Sequence, residues 1–169
     1  HVNRTGSPLD FVSTHVYGSP PLDLRPIMDR HGWLGTPLLW TEWGPTPTHF
    51  AAVNDSALAA AFVAGGMRSV AGRVDALAPW VASDHFEELG RPRRLVHGGF
   101  GLLSVGCLAK PRYWALWALE RLCDVEVAHT ITGDGGGSLV RAWPSVDPET
   151  GRVAIVVWNG TLDQGVLDR

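Results

Sequence analysis

The stretch LLWTEWGPTP, residues 38–47, decides how this chain is interpreted. Its apolar residues lead to a single carboxylate, Glu42, which lies between two tryptophans, and two prolines then interrupt the chain. A nearly continuous apolar run is typical of a parallel strand that is covered on both faces. The stretch therefore predicts a buried strand over Pro37–Trp43 that presents Glu42 at its carboxyl end.

Two other segments predict strands of the same kind. LDFVSTHVY (Leu9–Tyr17) is rich in β-branched and aromatic residues and is followed by a Gly-Ser-Pro-Pro turn, and ALAPWVASD (Ala76–Asp84) is the third apolar run. Helical periodicity separates and follows the strands, at about 23–31, 57–70 and 110–122. The polar cluster Asn54-Asp55-Ser56 predicts the N-cap of the second helix, and Gly65-Gly66 predicts a close approach of that helix to a strand.

The pattern changes after about residue 125. Two alternating segments, 138–146 and 152–160, predict an antiparallel hairpin whose turn is Asp147–Gly151. The glycine-rich segment 133–137 is interpreted as a turn, because it has no lysine and no following helix that would make it a phosphate site. We therefore predict two domains, residues 1–124 and 125–169.

Three consecutive strand–helix units predict an α/β fold with a parallel sheet. The pattern alone leaves a doubly wound sheet and part of a (β/α)8 barrel equally open. In both folds the functional residues gather at the carboxyl ends of the parallel strands.

Composition limits the function classes. The chain has 169 residues, of which 45% are hydrophobic and 18% charged, with a net charge of −3. These values indicate a globular protein and not a nucleic-acid-binding one. No apolar run is long enough for a membrane span, and the lack of a visible signal peptide favours the cytoplasm slightly. The basic run Arg91–Arg94 is interpreted as a solvated loop.

Metal and thiol chemistry have little support in the sequence. No HxxxH, HExxH or CxxC spacing occurs, so no metal site and no cofactor are predicted. The two cysteines, Cys107 and Cys123, are interpreted as buried free thiols, because they are too few for a disulfide framework. No G-x-S-x-G motif indicates a serine hydrolase.

The strand ends collect carboxylates, aromatic residues and a histidine. His15 and Tyr17 end the first strand, Glu42 ends the second, and Trp80 belongs to the third. Glu87 and Glu88 follow shortly after. Aromatic faces stack on sugar rings, and carboxylates bind hydroxyls or attack an anomeric centre, so this mixture favours carbohydrate chemistry. Each residue also has a structural interpretation: Glu42 could pair with an arginine, His15 could be a core residue, and Glu87 and Glu88 could be solvated.

The remaining tryptophans are assigned to packing. Trp33, Trp114 and Trp117 are interpreted as packing residues, and Trp143 and Trp158 are expected in the core of the hairpin unit. The tryptophans beside Glu42 are expected to shape the site.

With these motifs in this order, the chain resembles glycoside hydrolase family 39. The similarity is carried by DFVSTHVY, LLWTEWG, WVASDHFEE, VHGGFGLL and KPRYWALWAL, and it is greater to the β-xylosidase branch than to the α-L-iduronidase branch. The resemblance implies the C-terminal part of a retaining (β/α)8-barrel glycosidase, about strands 6 to 8, followed by the start of an antiparallel β-sandwich.

The resemblance also implies residue roles. Glu42 matches the catalytic nucleophile. His15, Tyr17, Trp80, Glu87 and Glu88 match substrate-binding positions, whereas Asp84 and His97 are less certain and could be structural. The expected partner is an oligosaccharide or small glycoside, with no nucleic acid, membrane or cofactor, and the oligomeric state is left open.

One part of the family pattern is missing from the chain. The family's acid/base is a glutamate in an Asn-Glu-Pro motif, and no glutamate here follows an asparagine. We therefore expect a fragment without the acid/base half, poorly stable and inactive alone. The alternatives are a degenerate carbohydrate-binding protein of the same fold and an interaction module.

Overall fold

The computed structural model describes residues 2–132 and 139–160 and shows a mixed α/β fold. A short 3-10 turn, Ala52–Asp55, precedes the third helix. In that part of the chain the elements are α1 (Val2–Thr5), β1 (Val12–Tyr17), α2 (Arg25–Arg30), β2 (Leu38–Gly44), α3 (Ala57–Val70), β3 (Ala76–Pro79), α4 (Pro111–Leu119), β4 (Val125–Glu126), β5 (Val140–Val146) and β6 (Val153–Asn159). The turn expected at 133–137 lies outside the described residues.

The first sheet is parallel, with its strands in the order β1-β2-β3. Its strands are therefore neighbours in both sequence and space, as the three strand–helix units predict. Asp75 fixes the start of two strands at once: its Oδ2 accepts the Leu38 N–H at 2.7 Å and lies 2.6 Å from an Arg25 guanidinium nitrogen. These hydrogen bonds favour the charged carboxylate and lower the pKa of Asp75, the Leu38 amide being the main cause.

Strand β2 contains one extra residue relative to both neighbours. Trp40 pairs with Thr14, but the next residue of β1, His15, pairs with Glu42, so Thr41 forms a bulge. The pairing of β2 with β3 shows the same one-residue shift between Trp40 and Trp43. A bulge of this kind bends the strand and changes the direction of its side chains, and such bulges are common beside active sites.

The helix-covered face of the sheet forms the core. Leu38, Trp40 and Trp43 are all buried. Trp43 stacks on Phe62 of α3 with ring centroids 4.7 Å apart. A Cβ added to Gly66 would lie 2.2 Å from the Trp43 ring, so the close helix–strand approach expected from the two glycines is confirmed at Gly66.

The second sheet is antiparallel, with its strands in the order β4-β5-β6. The hairpin is confirmed, since Val146 pairs with Val153 and the backbone of Asp147 bonds to both Gly151 and Arg152 across the turn. The Asp147 carboxylate accepts the Thr150 hydroxyl at 2.6 Å, which is the main reason why its pKa is lowered. The short strand β4 is an addition that the sequence pattern did not predict. The division into two domains stays a prediction.

Some predicted boundaries and burials are wrong. The third strand ends at Pro79 and not at Asp84, because proline cannot continue the ladder. The last helix ends at Leu119 instead of 122. Cys107 is exposed, although Cys123 and Cys107 are both free as expected. Trp114 and Trp117 on α4 are 53% and 43% exposed, so within the described residues they do not form part of a core.

The predicted capping cluster has a different structural role. Ser56 is the N-cap residue, but its side chain makes no capping hydrogen bond and instead donates to Val53 O. Asn54 is buried and donates to Gly98 O at 2.9 Å. Asp55 pairs with Lys110. Tertiary contacts have therefore taken the polar groups that the local sequence assigned to the helix end.

No helix within residues 2–132 and 139–160 has both the length and the apolar character needed to cross a membrane. The basic run Arg91–Arg94 lies on the surface, as expected.

Candidate active site

Glu42 and His15 are directly opposite each other on neighbouring strands. Because side chains of paired residues lie on the same face of a sheet, both are on the face away from α3, together with Tyr17. Trp43 pairs with Val16 and lies on the opposite face, fully buried. The expectation that the tryptophan after Glu42 shapes the site is therefore wrong: its indole belongs to the core.

One oxygen of Glu42 collects two donors. The Tyr17 hydroxyl donates to Oε2 at 3.1 Å, and Nδ1 of His15 lies 3.3 Å from the same oxygen. The other imidazole nitrogen, Nε2, is 3.0 Å from the hydroxyl of Thr41, the bulge residue. The two ring nitrogens of His15 therefore contact Glu42 on one side and Thr41 on the other. The Oε1 oxygen makes no hydrogen bond within the described part of the chain.

Tyr17 is held in its protonated, donating form. Partial burial raises the pKa of Tyr17, and the charge of Glu42 and the hydrogen bond to it raise the pKa further. Its ring passes over Gly44, where an added Cβ would lie 3.2 Å from the ring. The glycine after Glu42-Trp43 thus leaves room for the tyrosine that holds the carboxylate.

Trp80 follows β3 directly. Its backbone N–H donates to Trp43 O at 2.8 Å. Its indole ring packs against Phe86 edge to face, with centroids 5.4 Å apart. The Trp80–Val81 peptide bond is cis. Trp80 is therefore placed at the carboxyl end of the sheet, as the sequence predicts, but it lies just beyond the strand.

A buried arginine supports the floor of the site, and sequence reasoning missed it. Arg112, in the first turn of α4, is fully buried and donates to three backbone carbonyls, those of Trp80, Phe100 and Gly101. Burial lowers the pKa of Arg112 to about 10, which still leaves it cationic at neutral pH. An arginine in an amphipathic helix pattern normally indicates an exposed position, so the sequence carried no signal for this role.

Glu87 and Glu88 lie around a histidine that the sequence analysis also missed. His49 follows β2, and its Nδ1 lies 2.6 Å from Glu87 Oε1, whereas Nε2 lies 3.9 Å from Glu88 Oε2. The Glu87 side chain has no exposed area, whereas the Glu88 side chain is 61% exposed. Its position in the sequence could have indicated His49, because it follows the carboxyl end of β2, the strand that contains Glu42.

A buried ion cluster fixes the loops that carry these groups. Lys110 Nζ lies 2.6 Å from both Asp55 Oδ1 and Asp84 Oδ2 and donates to Gly99 O at 3.0 Å. Asp84 also accepts the Gly101 N–H at 2.7 Å. His97 is buried, with Nε2 3.9 Å from Asp84 Oδ2. Asp84 and His97 are therefore parts of the internal framework.

The predicted site residues fall into two groups that share one aromatic wall. Tyr17, beside Glu42, has its ring centroid 6.2 Å from that of Phe100, and His49, beside Glu87, has its centroid 4.8 Å from the same ring. The groups thus flank Phe100. In the described ranges there is no set of three or more histidine, cysteine or acidic side chains arranged to hold a metal ion.

Comparison with known proteins identifies relatives. The model of the family described as "Glycosyl hydrolases family 39" matches residues 1–160. The β-xylosidase of Geobacillus stearothermophilus is 29% identical over 94% of this chain, and that of Caldicellulosiruptor saccharolyticus is 28% identical over 70% of it. These alignments cover 34% and 28% of the two relatives.

A solved structure shows the same likeness. The GH39 β-xylosidase of Caulobacter crescentus is 33% identical and matches 92% of this chain with a TM-score of 0.69. The match covers 34% of that protein. The chain therefore spans about a third of the length of the relatives it matches.

Proposed function

Because this chain belongs to glycosyl hydrolases family 39, we propose that it forms the nucleophile half of a retaining, β-xylosidase-like glycosidase. The observation that carries the proposal is the arrangement around Glu42: a carboxylate at the end of a parallel strand, with Tyr17 and His15 both on Oε2. In this proposal the substrate is a small glycoside or oligosaccharide, and Trp80, Glu87 and Glu88 belong to its binding site.

The two donors on Oε2 determine how Glu42 would act. A retaining glycosidase uses a carboxylate that attacks the anomeric carbon and forms a glycosyl-enzyme. Oε1 makes no hydrogen bond in the described residues, so it is the oxygen that would form the new bond. Tyr17 and His15 would hold the plane of the carboxylate and so direct Oε1 at the anomeric carbon.

The charges around the site favour a neutral sugar. Glu42, Glu87 and Glu88 are acidic, and the guanidinium of Arg112 is fully buried and donates to backbone carbonyls. An anionic sugar would need an accessible positive charge close to the nucleophile. A neutral xyloside does not need such a charge.

The acid/base would have to come from outside these residues. In retaining enzymes the two carboxyl groups are roughly 5–5.5 Å apart. We propose that preceding strands of a (β/α)8 barrel supply it, with β1, β2 and β3 as about strands 6 to 8 and the antiparallel sheet as the start of a β-sandwich. In support of this, β1 and β3 have no strand partner on their outer sides within residues 2–132 and 139–160.

Nucleophile trapping tests the proposal. The natural gene product that contains this chain is incubated with 2,4-dinitrophenyl 2-deoxy-2-fluoro-β-xyloside, whose leaving group needs no acid, and the labelled peptide is mapped. We expect one fluoroxylosyl group on Glu42 and none in the Glu42→Gln variant. The 169-residue chain alone is expected to react poorly, because it lacks the rest of the barrel.

Two results would contradict the proposal. A label on another residue would show that Glu42 is not the nucleophile. Xylose binding without labelling or turnover would favour a degenerate carbohydrate-binding protein of the same fold instead.

A further inference from the structure

We propose that His49 and Glu88 together bind one hydroxyl of the sugar, and that Glu87 acts as a positioning residue for His49. The proposal rests on the glycosidase function proposed above. It names the residues that contact the sugar at the cluster of His49, Glu87 and Glu88, called the His49 corner below. It concerns a residue, His49, that no motif in the sequence indicated.

Burial separates the roles of the two glutamates. The Glu87 side chain has no exposed area, and its Oε1 is occupied by His49 Nδ1 at 2.6 Å. Its other oxygen, Oε2, is buried and has no hydrogen-bond partner among the described residues. A carboxylate enclosed in this way does not reach a ligand directly, so Glu87 belongs to the proposed binding site as the support of His49 and not as a sugar contact. Within this chain the Glu88 side chain is 61% exposed and the His49 side chain 22% exposed, whereas Glu87 is enclosed by the chain's own residues.

The gap between His49 and Glu88 fits a single hydroxyl oxygen. His49 Nε2 and Glu88 Oε2 are 3.9 Å apart, which is too far for a hydrogen bond between them. An oxygen about 2.8 Å from each atom fits between them with ordinary hydrogen-bond lengths. Because an ionised Glu88 only accepts, the sugar hydroxyl donates to it, and the hydroxyl oxygen accepts from Nε2–H of His49. With Nδ1 directed at Glu87, this arrangement requires His49 to carry a proton on both ring nitrogens, as an imidazolium between two carboxylates.

The orientation of the imidazole is fixed from several sides. Glu87 Oε1 is the hydrogen-bond partner of Nδ1, and the Phe100 ring packs edge-on against the imidazole at 4.8 Å and an interplanar angle of 66°. The next residue, Phe50, has a φ of +57°, a left-handed conformation that is unusual for a bulky side chain. Residues held in such sparsely populated regions cluster at ligand sites, where the surrounding structure enforces them.

The His49 corner and Glu42 are connected through the ring of Phe100. Phe100 also packs against Tyr17, which donates to Glu42. The charge of Glu88 is among those that raise the pKa of Tyr17, after burial and Glu42 itself. In this proposal a sugar whose anomeric carbon lies at Glu42 places a ring hydroxyl at His49 and Glu88.

Deoxy substrates test the assignment. Using the natural gene product, kcat/KM is measured for p-nitrophenyl β-xyloside and for its 2-, 3- and 4-deoxy analogues. The His49→Asn variant keeps an N–H for Glu87 but lacks an atom that reaches the hydroxyl. We expect it to lower kcat/KM by about 10- to 100-fold for every substrate that keeps the bound hydroxyl and to leave one deoxy analogue nearly unchanged.

Further variants supply the matched controls. Glu88→Gln should reduce the ratio of kcat/KM between the xyloside and one deoxy analogue, and this analogue should be the same one as for His49→Asn. Glu87→Gln keeps an acceptor for Nδ1–H and should retain the wild-type ratio of kcat/KM between the xyloside and that deoxy analogue. Glu87→Leu removes the acceptor and should reduce the ratio for the same hydroxyl.

The outcomes separate this inference from the proposed function. Equal slowing of all four substrates by His49→Asn, or coupling of His49 and Glu88 to different hydroxyls, overturns the shared-hydroxyl assignment alone. Loss of discrimination in Glu87→Gln as severe as that in Glu87→Leu overturns the positioning role. A wild-type protein that neither turns over the xyloside nor labels Glu42 overturns the proposed function and this inference with it.

Discussion

Gly66 of α3 lies directly against the indole of Trp43: an added Cβ would be 2.2 Å from two carbons of the ring. Gly66→Ala should therefore destabilise the fold by about 1–3 kcal/mol through overpacking, even though alanine favours a helix. Urea unfolding measures the change. Trp43→Phe in the Gly66→Ala background should recover part of the loss, because the smaller ring frees that space. A Gly66→Ala variant as stable as the wild type would refute this contact.

The hydrogen bond from Tyr17 to Glu42 leads to a prediction for activity. Tyr17→Phe should lower kcat on an aryl xyloside by about 10- to 100-fold, the usual effect of losing a hydrogen bond to a charged group. The measurement uses the natural gene product, with Tyr113→Phe on the surface of α4 as the control. Unchanged kcat in Tyr17→Phe would show that this hydroxyl does not support the nucleophile.

The same tyrosine affects stability at high pH. The pKa of Tyr17 is raised in the fold above its ordinary value of 10.0, mainly by burial. Its contribution to stability is therefore fully present below pH 10 and is lost as the pH rises, because the unfolded chain ionises first. Tyr17→Phe should flatten the decline in the unfolding midpoint above pH 10. Identical high-pH profiles of the wild type and the variant would contradict the raised pKa.

Asp75 leads to the opposite pH dependence. Hydrogen bonding to the Leu38 amide, and to Arg25, lowers its pKa in the fold below 3.8. The stabilisation is therefore present above about pH 4 and is lost as the pH falls below it. Asp75→Asn should be less stable at neutral pH and lose less on acidification. The exposed Asp10→Asn is the control, and parallel acid profiles for Asp75→Asn and wild type would contradict the prediction.

Arg112 should not tolerate even a conservative change. One guanidinium donates to the carbonyls of Trp80, Phe100 and Gly101, and a lysine ammonium has neither the planar shape nor the number of donors to replace it. Arg112→Lys should cost about 3 kcal/mol or more of unfolding free energy, because buried carbonyls lose their donors. Unfolding in guanidinium chloride measures the loss of free energy. A loss below about 1 kcal/mol, the size expected for a neutral surface substitution, would contradict the prediction.

The sequence predicted the order of elements well, since apolar runs and helical periodicity are local properties. It also predicted correctly that Glu42, His15 and Tyr17 meet, because all three lie at strand ends. It failed where contacts are distant in sequence. His49 contacts Glu87, and Arg112 contacts carbonyls beyond β3, and neither partner is visible in the local pattern.

The direction of Glu42 was also beyond a simple reading of the strand. Strict alternation would place residues 38, 40 and 42 on one face and so bury Glu42 beside Trp40 under the helices. The bulge at Thr41 adds one residue and shifts the alternation of side chains, so that Trp40 and Trp43 share the buried face. A spacing of three between two buried tryptophans is the only trace of the bulge in the sequence.

That extra residue makes β2 tolerant of a length change that most strands do not accept. Without Thr41, regular alternation would still keep Trp40 and Trp43 on the buried face and Glu42 on the open one. A chain shortened by this one residue should therefore keep its core and its carboxylate. It would lose the hydroxyl that contacts Nε2 of His15, so a single deletion separates the survival of the fold from the support of the proposed nucleophile.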